Sequence, residues 1–329
     1  MNEFDLIDTL IKPLTRGAKE ALGLEDDACF VPKAKAGYDM LSCMDTLLAG
    51  IHFLESDPPE TIGRKALRVN LSDLAAMGAQ PRGALLSLGI PDSINDTWLT
   101  QFFDGLGRDL ETFGLALLGG DTVRSPGGVM VTFTVFGEVP EGKIMMRKGA
   151  RPNDLICVTG SIGDGALGLL ANTRQLDMQR SSYNRNLIDR YRVPKPRVPF
   201  GVEVREVAHC CMDISDGLLA DLGHICRAGG VSAKIAIDSV PISRMAENAI
   251  LRDPTMMEMI LTGGDDYELL FTIHEDQWDT VQDMAHRASC AVSVIGRIFA
   301  PTEAKETVQA LNSDGEPVKF KTSGYMHRS

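Results

Sequence analysis

Hydrophobic positions along the chain change period repeatedly, and each change marks an element. Phe4, Leu6, Ile7, Leu10 and Ile11 predict a short amphipathic helix within residues 3–22, interrupted at Pro13. Residues 23–30 read as a turn entering a strand, and residues 40–47 as an apolar strand ending in an acid, Asp45. Ser56-Asp57-Pro58-Pro59-Glu60 carries helix-start signals. In the helix that follows, to about residue 77, Leu67, Leu71, Leu74 and Ala75 fall at i, i+4, i+7 and i+8 on a core face, and Gly78 is placed to end it. A strand at 82–90, an amphipathic helix at 96–113, a strand at 115–118 running into Gly119-Gly120-Asp121-Thr122, and a β-branched strand at 129–139 complete a β-rich half with helices on one face. Residues 141–143 and 148–152 read as a linker. Beyond it come a strand at 154–159, a turn at 160–166 leading into a helix, and a stretch at 173–192 read as loop. The pattern predicts two α/β (α+β) domains, residues 1–140 and 141–329.

Composition narrows the partners. With 33 Lys and Arg against 45 Asp and Glu, the formal charge is −12, which argues against nucleic acid or an anionic membrane surface. Seven cysteines show no C-x-x-C and no paired spacing, as expected of reduced thiols in the cytoplasm. The acidic start, Met1-Asn2-Glu3-Phe4-Asp5, is not followed by an apolar signal region, and no apolar run approaches the ~18 residues of a membrane helix.

The acids are unusual in where they stand. Asp73 lies within Leu71-Ser72-Asp73-Leu74-Ala75-Ala76-Met77, which leaves little solvated surface, and a carboxylate there must be hydrogen-bonded, paired or metal-bound. Asp27, Asp45, Asp121, Asp213 and Asp216 share this address, at the ends of elements in apolar surroundings. Taken singly, each is more often a solvated turn or helix-edge carboxylate. Together, with histidine scarce and poorly placed to accompany them, they suit a hard, oxygen-preferring cation, and Mg²⁺ held by carboxylates and substrate phosphates fits best. Phosphates approach several carboxylates only with metals between, so a multi-Mg²⁺ phosphoryl-transfer site follows. Residues 160–166 are either an anion-binding helix N-terminus or a plain tight turn.

Six motifs in order carry a resemblance. They are Gly23-x-x-Asp26-Asp27-Ala28, Asp45-Thr46-Leu47-x-x-Gly50-x-His52-Phe53, the segment from Val69 to Ala79, Gly119-Gly120-Asp121-Thr122, Asp213-x-Ser215-Asp216-Gly217-Leu218, and Gly263-Gly264-Asp265-Asp266-Tyr267-Glu268-Leu269. Together they resemble the thiamine-monophosphate kinase family, within the wider superfamily of aminoimidazole ribonucleotide synthetase. The resemblance implies ATP-dependent phosphorylation of thiamine monophosphate to thiamine diphosphate. It also implies a homodimer whose N-terminal domains form an inter-subunit β-barrel, each followed by a C-terminal α/β domain. Carried over by position, Asp27, Asp45, Asp73, Asp121, Asp213 and Asp216 resemble the ligands of several Mg²⁺ ions. Asp73, Asp216 and Arg147 resemble the catalytic set, Gly120, Asp121, Arg147 and Ser215 the ATP contacts, and His52, Asp265 and Tyr325 the contacts to thiamine phosphate.

The chain departs from the family pattern in three places. Cys43-Met44 replace a common Ser-Thr, leaving the backbone of Met44 as the ligand there. Asp265 replaces a common Glu, and Glu25 a usual glycine. Two alternatives stay beside the kinase reading: another ATP-dependent enzyme of the superfamily, and a catalytically silent Mg²⁺ and ATP binder.

Overall fold

The computed structural model describes residues 3–26, 28–176, 181–301, 307–321 and 324. The chain divides into two compact units, Met1–Leu74 with Ala79–Gly142, and Ala75–Gly78 with Lys143–Ser329.

In the first unit, β1 (Tyr38–Leu48), β2 (Gln80–Ile90), β3 (Leu117–Arg124) and β4 (Met130–Pro140) form a four-stranded sheet in the order β1-β4-β2-β3. All pairs are antiparallel except β2 with β3. Register fixes the faces, because side chains alternate and cross-strand partners share a side. One row of partners runs Asp45, Phe133, Leu86 and Gly120, flanked by rows holding Cys43, Val135 and Ala84, and Leu47, Val131 and Leu88. Apart from Asp45, Cys43 and Gly120 these residues are buried, so this is the core face. Met44, Thr134 and Leu85, then Thr46, Thr132, Ser87 and Asp121, make rows on the outer face.

After α1 (Glu3–Leu6) come the helices α2 (Pro59–Ala76) and α3 (Asp96–Thr112), which supply the rest of this core. The Asn95 side chain caps α3 by accepting from the Trp98 N–H at 2.9 Å. Leu99, Phe102, Phe103, Leu106 and Leu110 follow at helical spacing and are buried. α3 meets the first turn of α2 at Gly105, where a Cβ would lie 2.1 Å from the Glu60 carbonyl oxygen.

Three expectations change. The N-terminal helix is broken after α1 into a π-turn at Ile7–Ile11 and 3-10 turns at Lys12–Thr15 and Lys19–Leu24, since Pro13 cannot continue an α-helical ladder. Residues 28–30 join no strand; Phe30 donates instead to the Glu20 carbonyl at 2.8 Å, and Pro32 has no N–H to offer a ladder. The Gly-Gly-Asp segment is not a strand end, because β3 continues through it to Arg124.

The second unit holds a seven-stranded sheet ordered β11-β10-β7-β9-β5-β8-β6. Its strands are β5 (Leu155–Thr159), β6 (Cys210–Asp213), β7 (Ser232–Ala236), β8 (Leu269–Ile273), β9 (Val292–Phe299), β10 (Val308–Leu311) and β11 (Pro317–Val318). β5, β6 and β8 are buried at every position, as their continuous apolar runs require. The helices are α4 (Asp164–Asn172), α5 (Ser181–Arg192), α6 (Val198–Val204), α7 (Leu218–Gly229), α8 (Arg244–Arg252), α9 (Met256–Thr262) and α10 (Trp278–Arg287). α5 lies inside the stretch read as loop. Its apolar positions are few, but Tyr183, Leu187 and Tyr191 recur every four residues, and Leu187 and Tyr191 are buried. Among the described residues no helix is long and apolar enough to cross a membrane.

Candidate functional site

Each unit gathers its own carboxylates. In the first, the register puts Asp45 on the core face between Cys43 and Leu47, toward α2. Asn70 of α2 is fully buried; its Oδ1 accepts from the Asp45 N–H at 3.0 Å, and its Nδ2 donates to the Ala66 carbonyl at 3.0 Å. The Cys43 thiol donates to the Asn70 carbonyl at 3.3 Å. The carboxyl groups of Asp45 and Asp73 are hydrogen-bond partners. Burial raises the pKa of Asp45, against that hydrogen bond and the nearby His52. His52 sits in the turn after β1, where its Nδ1 accepts from the Leu48 N–H at 3.0 Å and its carbonyl accepts from the buried Lys65 ammonium at 2.9 Å.

Asp121 does not join this pair. It stands on the outer face, in a row with Ser87, Thr132 and Thr46, whereas Asp45 is on the core face. Its strand is also at the opposite edge of the sheet, about 14 Å away at ~4.8 Å per strand. Gly120 falls on the core side of β3, where a Cβ would lie 1.8 Å from the Leu86 carbonyl oxygen, so its lack of a side chain is first a packing requirement. The Met44 thioether is 65% exposed on the outer face, turned from Asp45.

In the second unit, β6 ends at the buried Asp213, and residues 214–217 turn into α7. Gly217, at φ +118°, makes the turn, and a Cβ there would lie 2.6 Å from the Thr262 carbonyl oxygen. Asp221, in the first turn of α7, accepts through Oδ2 from the N–H groups of Ser215 and Asp216, both at 3.1 Å. Residues 263–268 run alongside: the Asp265 N–H donates to the Ser215 carbonyl (3.0 Å), the Tyr267 N–H to the Ile214 carbonyl (2.8 Å), and the Ile214 N–H to the Glu268 carbonyl (2.8 Å). This brings Asp213, Ser215, Asp216 and Asp265 to neighbouring ends of β6 and β8. Arg147 is close to them: the Met146 carbonyl accepts from the Cys211 N–H in β6 at 3.0 Å, and the Arg147 charge acts on His224.

The sequence reading missed Asp221 and His224. Donor atoms of Asp216, Asp221 and His224 lie within 4.8 Å of one another. Burial, then the charges of Asp213 and Asp216, push the Asp221 carboxyl up to about 8. Burial and the charges of Arg227 and Arg147 lower the pKa of His224. Its Nδ1 lies 3.1 Å from Arg227 Nη2, and a guanidinium only donates. The signal was present in Leu218-Leu219-Ala220-Asp221-Leu222, an acid in an apolar helix like Asp73. Asp27 and Tyr325 lie outside the described residues.

This pair of folds defines a class. A family model of the AIR synthase related protein N-terminal domain matches residues 25–139, and one of the AIR synthase related protein C-terminal domain matches residues 151–309. The chain belongs to the thiamine-monophosphate kinase family. It is 39% identical to thiamine-monophosphate kinase of Caulobacter vibrioides, over 89% of this chain and 83% of that one. To the Salmonella typhimurium enzyme of the same name it is 37% identical, over 93% and 91%. A solved structure of thiamine-monophosphate kinase from Stenotrophomonas maltophilia K279a superposes with a TM-score of 0.84 at 36% identity, over 97% of this chain and 98% of that one. One of AaThiL complexed with AMPPCP and TMP superposes with a TM-score of 0.78 at 29% identity, over 99% and 96%.

Proposed function

We propose that this chain transfers the γ-phosphoryl group of ATP to thiamine monophosphate, giving thiamine diphosphate and ADP, in a Mg²⁺-dependent reaction in the cytoplasm. The observation that carries the reading is the gathering of Asp213, Asp216, Asp221 and Asp265 around Ser215 in a member of this family. The donor set fits the metal. Asp213, Asp216 and Asp221 offer oxygen donors, and burial followed by the charges of Asp213 and Asp216 raises Asp221, a charge crowding that a divalent cation relieves. Asp213 and Asp216 would hold Mg²⁺ in the second unit, and Asp45 and Asp73 in the first. Asp27, Asp121 and the Met44 backbone are the further ligands assigned by motif. When bound, the ions screen the phosphates from one another and from the carboxylates.

The remaining work falls to the chain itself. Ser215, Gly120, Asp121 and Arg147 bind ATP, and Arg147 adds positive charge where phosphate charge gathers. His52, Asp265 and Tyr325 hold the acceptor. That acceptor is a phosphate with a second pKa of ~6, already mostly ionised near neutrality, so no strong general base is needed and transfer is direct and in line. Incubation with γ-labelled ATP alone is expected to leave no label on the protein. The primary test is ADP release from ATP and Mg²⁺ with and without thiamine monophosphate, with the product identified. Release that depends on the acceptor and yields thiamine diphosphate is the expected result; ATP binding without turnover would replace the reading by that of a silent binder.

The chain works as a homodimer in this reading. The outer sheet face carries Met44, Leu48, Met130, Leu85 and Phe136, with Met44 65% and Leu48 37% exposed, and a second copy that closes a barrel over it would bury them. Leu48→Lys is expected to halve the mass seen by light scattering, whereas an unchanged mass would remove this face from the interface.

A further inference from the structure

Resting on that reading, we infer that Glu268, clamped between Arg190 and Arg197, is a positioning residue that sets the affinity for the acceptor substrate through Asp265, without touching the substrate itself.

The loop it holds is strained. Asp265 and Tyr267 have φ of +69° and +52°, in the left-handed region that side chains rarely occupy. Such a conformation persists only where its surroundings over-determine it. The alternation of the segment shows how this is done: Asp265 and Tyr267 are partly exposed, and Asp266 and Glu268 are fully buried. The Tyr267 hydroxyl donates to Asp265 Oδ1 at 3.2 Å, so the two exposed side chains act as one polar pair. Asp266 is tied to the start of α4, accepting from the N–H groups of Gly163 (2.7 Å) and Gly165 (3.1 Å).

Glu268 is the stronger tether. Its carboxylate accepts from Arg197 Nε (2.5 Å) and Nη2 (2.6 Å), from Arg190 Nη2 (2.9 Å) and from the Thr159 hydroxyl (2.6 Å). Arg190 Nη2 also lies 3.3 Å from the Asp266 carbonyl oxygen, so one guanidinium grips both side chain and backbone of the loop. A Cβ on Gly160 would lie 2.2 Å from Glu268 Oε1, so the chain leaves no slack beside the carboxylate. Arg190 and Arg197 come from α5 and from the residue preceding α6, far from the loop in sequence. An ion group of this kind need not raise stability over an apolar replacement; its use here is to fix geometry. The Glu268 backbone carbonyl also accepts from the Ile214 N–H, so displacement of the clamp moves residues 265–267 against residues 214–215.

The test measures thiamine monophosphate binding by calorimetry and steady-state kinetics for the full chain, Glu268→Gln, Arg190→Gln, Asp265→Asn and the Asp265→Asn/Glu268→Gln double variant. Arg190→Gln leaves the Arg197 bridge to Glu268 in place and keeps the test informative should Glu268→Gln not fold. Glu268→Gln is expected to weaken acceptor binding and raise its KM about tenfold, and Arg190→Gln about threefold, each with the KM for ATP within about twofold of the full chain, a tenfold change being ~1.4 kcal/mol. Because the clamp acts through Asp265, Glu268→Gln adds little once Asp265 is Asn. Lowered thermal stability with unchanged acceptor affinity, equal changes in both KM values, or additive effects in the double variant would overturn the clamp and leave the kinase reading standing. A full chain that neither binds nor phosphorylates thiamine monophosphate would remove both.

Discussion

Asp73→Asn is expected to lower thiamine monophosphate-dependent ADP release by about three orders of magnitude, ~4 kcal/mol of transition-state stabilisation. The fold has no reason to fail. The substitution keeps the shape of the side chain on α2 and removes one of two neighbouring carboxyl groups in partly buried surroundings. Without metal, the variant is therefore expected to melt at the same temperature as the parent or a few degrees above it. The diagnostic contrast is with Mg²⁺: the parent gains thermal stability on titration through binding to the folded state, and the variant gains much less. A variant that keeps its turnover would show that the Asp45–Asp73 pair is a structural hydrogen bond and nothing more. One that loses turnover while melting far below the parent would assign the loss to folding.

Gly264→Ala is expected to be damaging in the second unit, where the added methyl meets backbone. Its Cβ would lie 2.1 Å from the Ser215 carbonyl oxygen, which accepts the Asp265 N–H. Backbone has to move, and the movement parts Asp265 from Ser215 and Asp216. We expect a loss of roughly 2–3 kcal/mol in stability, read as a fall of roughly 5–10 °C in melting temperature, together with loss of acceptor-dependent turnover. Gly127→Ala is the control, because a Cβ there meets only the Ser125 hydroxyl at 4.0 Å. Equal melting temperatures for the two variants would mean that the two loops tolerate separation.

What could be read from the sequence follows the range of the interactions that decide it. The apolar face of α2 and the burial pressure on Asp73 are local, and spacing alone exposes them. The motif at residues 213–218 likewise announced an acid-bearing turn into a helix. The sides of a sheet are not local: Asp45 and Asp121 look alike as acids in strand segments, yet register with β4 and β2 sends one to the core and the other to the outer face. α5 escaped notice because its apolar positions are diluted by arginine and asparagine. His224 was discounted because no histidine stands beside the acids in sequence, whereas one helical turn carries it back to Asp221. The clamp on Glu268 joins residues 71 and 78 positions apart, beyond the reach of any periodicity.

Among the described residues β6, which delivers Asp213, is the last strand of its sheet, with no strand paired on one side of its backbone. An outermost strand with free N–H groups is a template for pairing with other molecules. Here the chain around Met146 accepts the Cys211 N–H and occupies part of that border. The residues that bring Arg147 to the acids therefore also shield the sheet against self-association. Changes in this segment are answerable to solubility as well as to chemistry, and aggregation through an uncovered border is to be measured alongside turnover for any variant made there.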